Sequence, residues 1–141
     1  MENQAAVERV LFNYRKQQYE KDVLELVKDC EIYNALIISA NLEFSDHSCF
    51  VLDLTLQTHI GICGLADISL GHTDSLDGWE YGIEYIMRVM DIVDVKKLTD
   101  LVGKYVRVAS QDRKIKAIGH IAKDKWFSPE LFCKSRFHEE E

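Results

Sequence analysis

At 141 residues the chain is too short for more than one ordinary domain, yet long enough to bury a core without disulfide or metal staples. Hydrophobic residues make up 47% and charged residues 29%, a globular composition. The formal net charge of −7 argues against a general binder of duplex nucleic acid, which needs broad positive charge.

The start, MENQAAVER, is polar and unlike a signal peptide, and no apolar run approaches a membrane span. Residues 4–29 read as helix. Val7, Val10, Leu11 and Tyr14 fall at helical spacing, and Leu24 and Val27 resume the stripe after the polar stretch RKQQYEKD. A helix interrupted in this way either packs on its own sheet or meets a partner subunit, so a homodimer or higher oligomer through residues 1–29 is expected.

From Glu31 the period changes to two. Ile32, Leu36, Ile38, Ala40, Leu42 and Phe44 share one face. A turn at residues 45–48 leads to a partner strand with Phe50, Leu52, Leu54 and Leu56 on its inner side, which makes an antiparallel hairpin. A third strand runs through Ile60, Ile62 and Leu65, where Gly61 and Gly64 permit a bulge. Residues 71–78 read as a loop. Residues 79–93 read as a second helix with Ile83, Ile86, Met87 and Met90 inward. Asp94 is placed to cap a short following helix with Leu98 and Leu101 inward, and Gly103 fits its left-handed stop. A second hairpin follows, with Val106 and Val108 facing the same way, as do Ile115, Ala117 and Ile121. The tail folds back through Trp126 and Phe127, and the acids at 139–141 fray. The expected fold is a single α+β domain. Its antiparallel sheet core over 31–132 has about five strands, with a long N-terminal helix and one or two helices between the third and fourth strands.

The last hairpin carries the chain's reversed charge. Val102 to Phe127 hold seven cations and two anions, a net of +5, so the chain's −7 leaves −12 for the rest. Tyr105, Arg107, Lys114, Lys116 and His120 fall on the side opposite Val106 and Val108. Arg107 offers a planar fork for phosphate, with Lys116 and His120 beside it. Tyr105 offers a stacking ring, and Lys125 and Trp126 can close over the area. Ring plus cation suits a nucleotide. The same pattern also describes a solvated sheet face with a structural Trp-Phe anchor.

Other chemistry is thinly represented. His47 with Cys49, and His59 with Cys63, do not match structural-zinc spacing, and Asp46 and Asp53 make a poor cation site. Cys30, Cys49, Cys63 and Cys133 read as reduced, packed thiols of a cytoplasmic protein. There is no nucleophile elbow, P-loop or dinucleotide fingerprint. Asp91 and Asp94 sit near helix ends, where caps are commoner than acid–base pairs. Neither an enzyme, a cofactor nor a metal is expected.

Four segments carry a family resemblance over roughly residues 36–132: LEFSDHSCFVLDLTL, IGICGLADISLG, KKLTDLVGKYVRV and IKAIGHIAKDKWFSPE. They resemble small proteins encoded by phages and prophages of Gram-positive bacteria, and within them the Thoeris anti-defence sponges of the first type. The long N-terminal helix and a poorer glycine strand depart from that pattern. The resemblance implies a non-catalytic oligomer in the cytoplasm of an infected cell, which sequesters a cyclic ADP-ribose isomer near a subunit interface. Two other functions stay open. The acidic remainder suits an inhibitor acting by direct contact with a basic host defence effector, as anti-CRISPR proteins do. A small hydrolase of a nucleotide signal has no motif to support it.

Overall fold

The computed structural model describes residues 2–45, 48–65 and 68–137, with the side chains of 2, 136 and 137 left aside. Asp46, His47 and the tail acids 139–141 lie outside the described residues. Helix α1, Glu2–Lys28, leads into the long hairpin of β1, Glu31–Phe44, and β2, Cys49–Thr58. Three short strands follow: β3, Gly61–Gly64; β4, Ser69–His72; and β5, Asp77–Gly78. Helix α2, Gly82–Val93, and a 3-10 turn at Leu98–Leu101 precede the second hairpin of β6, Tyr105–Gln111, and β7, Lys114–Gly119. Strand β8, Trp126–Phe127, and helix α3, Pro129–Phe137, close the chain.

The fold is α+β, as expected, but among the described residues the antiparallel sheet has eight strands where about five were expected. Its order is β5-β4-β2-β1-β6-β7-β8, with β3 also paired to β2. The additional strands are very short. β4 and β5 pair across a segment read as loop, and β8 is two residues of the tail.

The β1–β2 hairpin forms where alternation predicted it, and Leu52, Leu54 and Leu56 are buried. The inward set of β1 is different. Ala35 and Ile37 face the core, while Ile32 and Ile38 are exposed. The register shifts between Ile37 and Ser39, so Ile38 is an extra bulged residue. A bulge reverses the phase of a period-two pattern, and beyond it Ala40 does face inward against the core, whereas Leu42 and Phe44, also expected inward, are exposed because the hairpin's end extends past the core.

Helix α2 also turns a different face inward. Tyr85, Val89 and Ile92 are buried, whereas Ile83 and Met87 are 69% and 63% exposed. Asp94 does not cap the following turn. It ends α2 in the left-handed conformation, φ 68°, and its N–H donates to the Met90 and Asp91 carbonyls. Leu101 is buried and Gly103 has φ 91°, as expected for that stop.

The three helices gather over β7 and β8. Their shared core is an aromatic cluster of Tyr19, Tyr85, Phe127 and Phe132, in edge or tilted contacts 5.2–6.2 Å between ring centroids. Arg88, paired with Glu84 at 2.8 Å, lies over Tyr19 and Phe132. Ser128 starts α3 with Pro129 in its first turn; its Oγ accepts the Leu131 N–H at 3.3 Å. The Ser128 N–H donates to Tyr19 Oη at 3.2 Å, which ties the buried end of α1 to the tail. No helix among the described residues is long and apolar enough to cross a membrane.

Candidate anion-binding cleft

Of the six residues expected to form a site, Arg107, His120, Lys125 and Trp126 come together at the turn after β7, and Tyr105 and Lys116 lie apart from them. Arg107 is used inside the fold. Its Nε donates to the His120 carbonyl at 2.7 Å and its Nη2 to the Lys123 carbonyl at 2.6 Å. Its guanidinium lies 4.8 Å from the centre of the Trp126 ring. Gly119 sits between the two, paired with Arg107 on one side and Trp126 on the other. A Cβ there would come within 2.6 Å of the Trp126 ring, so only glycine lets the indole lie on the strand. His120 Nδ1 accepts the N–H groups of Ala122 and Lys123 at 3.0 and 2.9 Å. Arg107, His120 and Trp126 therefore shape the turn after β7.

Lys125 stands at the same turn, where its carbonyl accepts the His120 N–H at 3.0 Å, whereas Tyr105 and Lys116 lie elsewhere. Lys125 pairs with Asp91 on α2 at 2.9 Å, an exposed pair that contributes little to stability. Tyr105 lies at the far end of β6, beside a shallow hollow of about 270 Å³ with Asn34, Gln57 and His59. Lys116 falls where the β6–β7 register shifts between Ala109 and Ser110. Burial pushes the nearby Cys30 thiol up, and the Lys116 charge works against that shift.

Lys116 instead belongs to a different set. Strands β3 and β7 are separated in the sheet by β2, β1 and β6, yet both line one cleft of about 440 Å³. The sheet is thus curled, and the cleft lies in the gap between its two ends. Cys63, Gly64, Ile115 and Pro129 line it, and Arg113, Lys114 and Lys116 supply charge. None of these three cations makes a salt bridge among the described residues. The acid at the cleft, Glu130, faces Lys134 at 3.6 Å. Burial pushes the Cys63 thiol up, which keeps it protonated and poorly nucleophilic at neutral pH.

The backbone at the cleft is unusual. Asp112 and Arg113 form the two-residue turn between β6 and β7, with φ 53° and 67°. Such turns strongly prefer glycine at the second position, because a Cβ clashes in the left-handed conformation. Here that position holds an arginine. Its φ is strained, and its side chain lines the cleft. Sequence reasoning counted Arg113 and Lys114 in the charge excess but did not place them in the site. An arginine in the glycine position of a tight turn was the available signal.

Among the described residues no group of three or more His, Cys, Asp or Glu side chains comes together to hold a metal. No protein-family model matches the chain, and no curated protein matches it at a significant level.

Proposed function

We propose that the protein binds a small phosphorylated ligand of the cyclic-nucleotide class in the cleft of Arg113, Lys114 and Lys116, and holds it without cleaving it. The observation that carries this reading is three cations around one concave site, none of them in a salt bridge among the described residues, with one kept in a strained turn. Residual strain of this kind is often retained for function. The cleft volume lies in the range of small-ligand sites. Arg113 offers a fork that grips phosphate in two bonds, and the two lysines add flexible charge. The cleft's thiol is held protonated and no paired carboxylates line it, so binding is favoured over chemistry.

The resemblance to phage anti-defence sponges agrees with this reading and supplies its biological form. The ligand is then a cyclic ADP-ribose isomer used as an immune signal in the cytoplasm of an infected bacterium, and sequestration silences it. Heat release from protein purified out of signal-producing cells, followed by mass spectrometry, is the test. Intact cyclic nucleotide supports the proposal. A hydrolysed nucleotide would make the protein an enzyme. A stoichiometric host protein in place of any nucleotide would move the function to inhibition by contact.

A further inference from the structure

We propose that the second half of β1 is a docking edge for an extended segment of a partner protein, one with apolar residues at alternate positions and a carboxylate at its C-terminal end. This does not rest on the ligand reading, because no residue of the edge lines the cleft of Arg113. Strand β1 pairs with β2 from Leu36 to Phe44, but with β6 only from Glu31 to Leu36. Pairing on the β6 side ends at Ile37, whose N–H donates to the Lys104 carbonyl at 2.9 Å and whose carbonyl accepts the Gly103 N–H at 2.8 Å. Before Gly103 the chain is the 3-10 turn of Leu98–Leu101 and not a strand. Among the described residues, Ser39 to Phe44 therefore have no neighbouring strand on that side. This open length exceeds that of β3, β5 or β8. It holds neither proline nor lysine, the residues with which proteins commonly block an edge.

The hydrogen bonds of the hairpin fix which groups face the open side. The Ser45 N–H donates to the Cys49 carbonyl at 2.8 Å. The Leu54 carbonyl, opposite Ala40, accepts the Leu65 N–H on its other side at 3.2 Å. Such groups alternate along an antiparallel ladder, so Ala40, Leu42 and Phe44 turn their N–H and C=O groups to the open side. Their side chains share one face: Ala40 packs against the core, and Leu42 and Phe44 are 38% and 65% exposed. Ser39, Asn41 and Glu43 lie on the other face. An added strand thus finds main-chain partners and, on one face only, apolar neighbours, which calls for alternate apolar residues. Lys104 decides its direction and its end. This lysine stands where the open lane meets β6, is exposed, and makes no salt bridge among the described residues. A segment antiparallel to β1, the sense that β6 already takes, runs from Phe44 toward Ser39 and brings its C-terminal end to Lys104. A parallel segment would bring its N-terminal end there. The cation therefore selects an antiparallel segment that ends in an acidic residue or a chain-terminal carboxylate.

Amide NMR of the full chain, titrated to millimolar concentration with a synthetic heptapeptide, is the test. The peptide alternates threonine and valine and ends in a free aspartate. The amide signals of Ala40, Leu42 and Phe44 should shift and exchange more slowly with solvent. A spin label on the peptide's N-terminus should broaden Phe44 more than Lys104. Leu42→Pro removes an N–H that faces the open side and no bond of the fold, so the variant should stay folded and bind about tenfold more weakly. Lys104→Glu gives a second reading that leaves the edge intact. It should weaken this peptide by about threefold to tenfold and bind one ending in lysine amide more tightly than wild type does. The proposal is overturned if the peptide does not bind, if the shifts fall on other strands, or if the label broadens Lys104 instead. It is equally overturned if a folded Leu42→Pro, or Lys104→Glu, binds as wild type does. Slowed exchange of the same amides without peptide, as protein concentration rises, would make the occupant a second copy and overturn it too.

Discussion

Replacing Arg113 with glycine should make the protein more stable. Arg113 holds φ 67° at the second position of the β6–β7 turn. The left-handed conformation costs an L-residue about 1–2 kcal/mol, and glycine escapes that cost. Glycine also frees the unfolded chain, which takes back about 0.5–1 kcal/mol. The net gain is about 0.5–1 kcal/mol, or about 1–4 °C in Tm for a chain of this size. Arg113→Ala separates strain from charge, because alanine removes the guanidinium but keeps the Cβ clash. Thermal unfolding by circular dichroism, in low phosphate to leave the cleft empty, should rank Arg113→Gly above both wild type and Arg113→Ala. If glycine melts below wild type, Arg113 is a structural residue and the argument for a strained functional arginine fails. If glycine and alanine melt together, there is no strain to relieve.

Other expectations follow from the same contacts. Arg107→Ala removes two hydrogen bonds to the turn after β7 and the stack on Trp126; it should cost about 2–3 kcal/mol in a denaturant melt, with ligand affinity unchanged. Phe132→Ala empties the centre of the aromatic cluster and should cost about 3–5 kcal/mol by the same measurement. Burial pushes the Cys133 thiol up from 9.0 to about 11, so the folded chain keeps a proton that the unfolded chain loses. Stability should therefore fall as pH rises through that window, and the wild-type minus Cys133→Ala difference in urea midpoint should isolate the effect.

The parts of the fold that local pattern controls were legible. Alternation located β1 and β2, helical spacing located α1 and α2, and Gly103 marked its left-handed stop. The inner face of β1 was misread because a bulge at Ile38 leaves no mark in composition while reversing the phase of every residue before it. The inner face of α2 was misread because apolar side chains lie on both sides of that helix. Tertiary packing around Tyr85 chose between them. The site was legible as a charge excess but not as a place. Arg107 looked free because the groups that occupy it, the carbonyls of His120 and Lys123, are backbone atoms that any sequence carries. The cleft needs residues 63 and 113 side by side, and only the curl of the sheet brings them there.

The central claim is that Arg113, Lys114 and Lys116 form the ligand site, and calorimetric titration of the full chain tests it most directly. The titrants are cyclic ADP-ribose isomers and cyclic di- and trinucleotides, each at low and high salt. One of them should bind, more weakly as salt rises. Arg113→Gly should lower its affinity by about tenfold to a hundredfold, the worth of a hydrogen bond to a charged group, while Arg107→Ala binds as wild type does. If no titrant binds wild type, or if Arg113→Gly binds as tightly as wild type, the cleft is not the site.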